Sequence, residues 1–169
     1  GLSEGEAGSV GHTEGAALVR ALRERDNYPI FINADHHTSF KSVKSAIDAG
    51  FDMVIIDGTV LSFEENVKIT KECVEYADKV KKESRKDILV EGELGYIGHG
   101  SIVRETIPEG AGIKTKPEDA ERFVTETGVD LFAPSVGSIH GLIKSGKPHI
   151  DADLVREIRE VAQVPLVLH

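Results

Sequence analysis

Three histidines, His36, His140 and His169, each follow or close a short apolar run, and Asp35, Asp57 and Glu93 hold comparable places. Imidazole suits zinc and related divalent metals, and carboxylates can complete such a site or move protons beside it. A single histidine is more often a surface or satisfied core residue. A single aspartate after a strand is often only the N-cap of the next helix. Repetition is what points to a metal: five successive runs each deliver an imidazole or a carboxylate at the same end. His36 and His37 are adjacent, and neighbours along a strand face opposite ways, so one can ligate while the other packs. His12, His99 and His149 fall in helix or loop stretches and read as solvated. The stretch Gly95-Tyr96-Ile97-Gly98-His99-Gly100 lacks the spacing of a dinucleotide fingerprint. Residues 95–112 read as a mobile loop, or simply as a long connector.

The elements that must carry these residues are short strands alternating with helices. Strands are predicted at 28–34, 52–56, 87–90, 129–133 and 164–168, each rich in Val, Ile, Leu or Phe, as in strands buried on both faces. Ser39 can cap a helix with Phe40, Val43, Ala46 and Ile47 on one face and Gly50 as its stop. Ser62 and Glu65 have capping-box spacing for a helix reaching about Lys82. Pro117 suits the first turn of a helix ending near Gly128. Asp151 or Asp153 can start another, and residues 12–25 form one before the first strand. Strand-helix alternation implies a parallel sheet with its functional side chains at the C-terminal strand ends. Residues 1–11 look like a loop. A closed (β/α)8 barrel needs about 250 residues. Five clear strands therefore leave either a small open α/β domain, which periodicity alone favours, or a piece of a barrel. The native chain is expected to extend beyond both ends.

The chain of 169 residues suits one domain, 1–169. Its net charge of −9, with no basic run, argues against nucleic acid. No apolar run reaches the ~18 residues of a membrane span, and no signal-peptide pattern is present. The single cysteine, Cys73, excludes an intramolecular disulfide and reads as a small core residue. A cytoplasmic location is expected.

Several motifs carry a resemblance. Asn33-Ala34-Asp35-His36-His37, Ala49-Gly50-Phe51, Ile56-Asp57-Gly58, Phe63-Glu64-Glu65-Asn66 and Glu91-Gly92-Glu93-Leu94-Gly95 occur in that order. Ala133-Pro134-Ser135-Val136-Gly137-Ser138-Ile139-His140-Gly141 and Pro165-Leu166-Val167-Leu168-His169 follow. From about Asn33 onward the chain resembles the class II, metal-dependent ketose-bisphosphate (fructose-bisphosphate) aldolases. The resemblance implies a (β/α)8 TIM barrel, of which this chain supplies about five central strand-helix units. It implies a lyase of carbohydrate metabolism and glycolysis that reversibly cleaves a ketose 1,6-bisphosphate to dihydroxyacetone phosphate and glyceraldehyde 3-phosphate. Fructose is the foremost sugar and tagatose the alternative. Zinc or another divalent metal would be held by His36, His140 and His169, with a monovalent cation as a further candidate cofactor. Asp35 would transfer the proton at the substrate hydroxyl. Asp57 and Glu93 match an alternative or second metal site, and Gly141 matches a backbone contact to the dihydroxyacetone-phosphate half. A homodimer or homotetramer is implied. In the family a Gly-Gly-Ser phosphate turn follows the last metal histidine, whereas this chain stops at His169. The loop acid that some members carry is unassigned, with Glu105 and Glu109 as candidates.

Aldol cleavage leaves negative charge on the ketone oxygen, so something positive must stand there. No predicted strand contains a lysine for a Schiff base, and the class II chemistry that the resemblance implies uses a Lewis-acid metal instead. Lys144 is a candidate for drawing the bisphosphate to an acidic protein. Two other readings compete: a non-catalytic metal- and phosphate-binding barrel module, and another metal-dependent barrel enzyme such as a hydrolase or epimerase. The metal reading makes a geometric demand. One nitrogen from each of His36, His140 and His169 should lie roughly 3 to 4 Å from the others.

Overall fold

A computed structural model describes residues 1–96, 103–106, 113–146 and 148–169. The chain runs β1 (Leu2–Ser3), α1 (Glu4–Val10), α2 (His12–Asp26), β2 (Asn33–His37), α3 (Phe40–Ala49), β3 (Met53–Ile56) and α4 (Phe63–Ser84). It continues β4 (Leu89–Leu94), β5 (Val103–Arg104), α5 (Pro117–Thr127), β6 (Leu131–Pro134), β7 (Leu142–Ile143) and α6 (Ala152–Ala162). Strands β1, β2, β3, β4 and β6 form one sheet in that order, every pairing parallel. The order never reverses, as it would in a doubly wound sheet. Consecutive helices α2 to α6 pack each on the next, in a single outer layer. This is the wall of a (β/α) barrel.

The helices begin and end where their caps dictate. Ser39 and Ser62 accept backbone N–H groups at the starts of α3 and α4, and Glu65 completes the capping box. Pro117 opens α5, and Asp151 caps α6. Gly50 and Gly128 close α3 and α5 in the left-handed conformation. Side chains alternate across the strands. Ala34, Val54, Ile56, Val90 and Phe132 join the core under the helices, with Phe123 from α5 and Cys73 from α4. Burial pushes the Cys73 thiol up to about 12.

Several expectations are corrected. Residues 1–11 are not a loop: Leu2 and Ser3 pair with Ala34 and Asp35, and Ser3 with Glu6 forms a capping box that starts α1. The first predicted strand is displaced, because 28–32 lie outside it while Asp35, His36 and His37 lie within. The predicted strand 164–168 reduces to a single parallel bridge, Phe132 to Leu166. Phe132 donates to the Pro165 carbonyl at 3.0 Å and accepts from the Val167 N–H at 2.9 Å. Pro165 has no N–H to extend the ladder. Much of the predicted loop 95–112, with His99 and Glu109, lies outside the described residues. Its described part holds β5, which pairs with β7. Among the described residues no helix is long and apolar enough to cross a membrane.

Candidate metal centre

The C-terminal ends of β2, β3 and β4 and the segments after β6 converge on a cavity of about 1180 Å³ on the face opposite α2 to α6, with the start of α1 also lining it. Asp35, His36, Asp57, Glu91, His140 and His169 line it. In β2 a simple alternation would not send Asp35 and His36 to one place. The register slips between Ala34 and His37, and His36 takes the left-handed φ of +49°. This irregularity re-aims the ring. His37 turns the other way and is fully buried, 2.8 Å from Ser42 Oγ and 3.4 Å from the Leu2 carbonyl. Of the adjacent pair, one faces the cavity and the other packs.

His12, expected in solvent, packs instead. Its ring lies 5.1 Å from that of His37 and 5.5 Å from that of Phe51, with Nδ1 3.0 Å from Ser45 Oγ. These neighbours come from β2, α3 and the turn after α3, which the helical period of α2 alone cannot disclose. His149 is exposed, as expected.

The three distant histidines meet. His169 Nδ1 stands 3.0 Å from His36 Nε2 and 3.1 Å from His140 Nε2. The three rings are mutually edge-on, with interplanar angles of 80°, 85° and 88°. Nitrogens bound tetrahedrally to one zinc at 2.0 to 2.1 Å would be about 3.3 Å apart. The two short separations are close to that spacing, and the three ligand atoms all lie within 4.8 Å of one another, so the donor set suits a metal. A second converging group comprises His36, Asp57 and Glu93. His36 Nδ1 lies 3.4 Å from Asp57 Oδ2 and 3.2 Å from Glu93 Oε2. The two nitrogens of one ring thus face the two groups.

Carboxylates dominate the local field. Glu91 and Glu93 are buried, and Glu91 Oε2 and Glu93 Oε1 have no hydrogen-bond partner among the described residues. Buried carboxyl groups of this kind are costly to ionise unless a cation answers them. Burial works against the His36 imidazolium, yet the hydrogen bonds it donates to Asp57 and Glu93 outweigh it and raise His36 to about 10. Burial alone would raise Asp57; His36 and the Thr59 hydroxyl, at 2.6 Å, hold it near 2 instead. Glu93 is pushed up by burial and by the Asp57 charge. His140 is pushed down to about 4 by burial and by His36 and His169. At neutral pH it is a neutral imidazole, the form that binds metals.

Asp35 borders the same cavity, its Oδ1 3.9 Å from His36 Nε2 and its side chain 42 % exposed. Gly141 follows His140 and is exposed. Lys144 is exposed and bonded to Glu105 at 2.6 Å, so this cation already has a carboxylate partner. Two supporting residues were not singled out in the sequence. Glu91 receives His169 Nε2 at 2.7 Å. Asn66, buried on α4, donates to the Glu93 carbonyl at 2.8 Å. A Cβ on Gly58 would come within 2.2 Å of Asn66 Oδ1, so the bare glycine after Asp57 leaves room for that brace. The motif order held both residues, but their contacts are tertiary.

Known proteins resemble this chain in sequence and in fold. The family model "Fructose-bisphosphate aldolase class-II" matches residues 1–169. A fructose-bisphosphate aldolase of Geobacillus stearothermophilus is 40% identical over 172 residues, covering 100% of this chain and 56% of its own length. One from Helicobacter pylori (strain J99) is 34% identical over 169 residues, covering 99% of this chain and 53% of its own. The crystal structure of the YdjI aldolase of Escherichia coli K12 superimposes with a TM-score of 0.78 at 27% identity, over 99% of this chain and 55% of that one. A putative fructose-1,6-bisphosphate aldolase of Coccidioides immitis gives 0.73 at 30%, over 98% and 55%. This chain spans about half the length of these relatives, and its sheet is a portion of their barrel. It belongs to the class II fructose-bisphosphate aldolase family.

Proposed function

We propose that the protein is a metal-dependent lyase that reversibly cleaves a ketose 1,6-bisphosphate to dihydroxyacetone phosphate and glyceraldehyde 3-phosphate. Fructose 1,6-bisphosphate is the first substrate to test, since the relatives from Geobacillus stearothermophilus and Helicobacter pylori carry that name. The observation that carries the reading is the meeting of His36, His140 and His169, 104 and 29 residues apart in sequence, with nitrogens 3.0 and 3.1 Å apart in the lining of one cavity.

In this reading His36 Nε2, His140 Nε2 and His169 Nδ1 hold a divalent metal, zinc first. When bound, it supplies the Lewis acidity that accepts the charge developing on the ketone oxygen. Asp35 takes the proton from the C4 hydroxyl as the C3–C4 bond breaks, and in condensation returns it to the new alkoxide. Its exposed carboxylate, on the same cavity wall as the trio, suits exchange with substrate. Asp57 and Glu93 hold the far nitrogen of His36, which keeps Nε2 aimed inward. They also offer the metal an alternative position. The Gly141 backbone is proposed to meet the dihydroxyacetone-phosphate half.

Asp35→Asn tests the assignment. Metal content should stay near normal while turnover of fructose 1,6-bisphosphate falls by a factor on the order of 10² to 10⁴. Turnover within a few-fold of the parent would give the proton to another residue, and loss of metal would make Asp35 a ligand. Absence of cleavage of either fructose or tagatose bisphosphate by metal-loaded full-length protein would reject the enzyme reading.

A further inference from the structure

Each of two imidazoles in the trio leans on a carboxylate from the same strand. Glu93 stands on the far nitrogen of His36, and Glu91, two residues earlier on β4, stands on the far nitrogen of His169. Two residues along a strand is one full pleat, so both carboxylates emerge on the cavity face. Register fixes them there: Glu91 pairs with Ile55 of β3 and Leu131 of β6. Glu91 belongs to neither group of converging metal-ligand atoms.

We propose that Glu91 is the positioning residue for His169, selecting its tautomer and the direction of its ring; this rests on the metal reading above. The backbone around His169 offers little guidance. Its approach is tied to the sheet by one bridge, at Leu166, three residues away. Rotation about the bond joining ring to chain is soft and nearly two-fold, so the backbone alone does not decide which edge of an imidazole faces a metal. Glu91 decides it. Its Oε1 accepts Nε2–H at 2.7 Å, which leaves the lone pair on Nδ1, the atom that faces His36 and His140. Both side chains are almost wholly out of water, His169 at 7 % exposure and Glu91 at 1 %. Water therefore cannot easily take the carboxylate's place. A carboxylate behind a ligating histidine also makes the ligand more basic and the metal tighter.

The test is Co(II) titration, read by visible absorption, of the full chain and of Glu91→Gln, Glu91→Met and His169→Ala. Met fills the volume without accepting a hydrogen bond, and replacing a buried charge with an apolar group of similar size is often tolerated by the fold. Glu91→Met should weaken Co(II) roughly 10- to 100-fold. Glu91→Gln, whose amide oxygen can still accept Nε2–H, should bind more tightly than Glu91→Met. In the His169→Ala background Glu91→Met should cost nothing further, because the ring it aims is gone. Wild-type affinity in Glu91→Met overturns the proposal. So do losses that multiply in the double variant, which would make Glu91 act independently of His169, and so does Glu91→Gln as weak as His169→Ala. A parent chain that binds no Co(II) would instead overturn the metal reading itself.

Discussion

The two faces of one sheet are built from opposite materials. Toward the helices, Val54, Ile56, Val90 and Phe132 pack against Cys73, Phe123 and their neighbours with almost no exposure. Toward the cavity, one residue along the same strands, stand Asp35, Asp57, Glu91 and Glu93. The first face follows every rule of a stable core. The second breaks them, with Glu91 Oε2 and Glu93 Oε1 buried and lacking hydrogen-bond partners among the described residues and a histidine at a left-handed φ. Local features that oppose folding persist where function needs them and the rest of the structure tolerates them. In this chain stability and chemistry are divided by the pleat, and substitutions one residue apart should separate them.

The largest stability loss should come from the helix face. Phe132 is fully buried, its ring 5.6 Å from that of Phe123. Phe132→Ala should lower unfolding free energy by about 3 to 5 kcal/mol, from lost burial plus the cavity left behind. Urea denaturation measures it. A loss under about 1 kcal/mol would mean that this layer is not the main source of stability.

Gly92 tests the pleat itself, standing between Glu91 and Glu93 but facing the helices. A Cβ there would come within 2.8 Å of Phe123 Cε1 and 2.9 Å of Val129 Cγ1. Gly92→Ala should cost about 1 to 3 kcal/mol through overpacking. Metal affinity, measured under conditions where the variant is folded, should change far less than in any histidine variant. If affinity collapses while stability holds, the two faces are coupled more tightly than alternation implies.

How much of this division was legible beforehand follows from how local each signal is. The helices were readable because caps act within a few residues, as Ser39, Ser62 and Pro117 do. The Ser3 and Glu6 capping box was equally local, yet in sequence residues 1–11 look like a loop. The first strand was displaced because the apolar run 28–32 looks buried, whereas Phe31 is exposed beneath Arg23, whose guanidinium lies 5.4 Å from its ring. His36, His140 and His169 could be nominated from residue type and motif order. The bulge that turns His36 inward could not, since φ at one histidine depends on how β2 registers against β3. The roles of Glu91 and Asn66 are contacts across 78 and 27 residues, invisible to any local period.

The smallest stability effect should come from the cavity face, at Glu93. Its side chain is buried, and burial together with the Asp57 charge disfavours its ionised form. Breaking a buried ion pair ordinarily costs several kcal/mol, because the surviving partner is stranded. Here His36 would not be stranded, since Asp57 still faces the same nitrogen at 3.4 Å. A glutamine at 93 would keep the shape, leave an amide oxygen for His36 Nδ1, and remove the repulsion between two neighbouring anions. Glu93→Gln should therefore change the stability of the metal-free protein by no more than about 1 kcal/mol in either direction. Urea denaturation in the presence of a chelator is the appropriate measurement. Divalent metal affinity should fall all the same, by roughly 10- to 100-fold, because a charged partner behind His36 is lost. A variant destabilised by several kcal/mol would show that Glu93 holds the fold together, and the division between the two faces would fail at the residue where it is drawn most sharply.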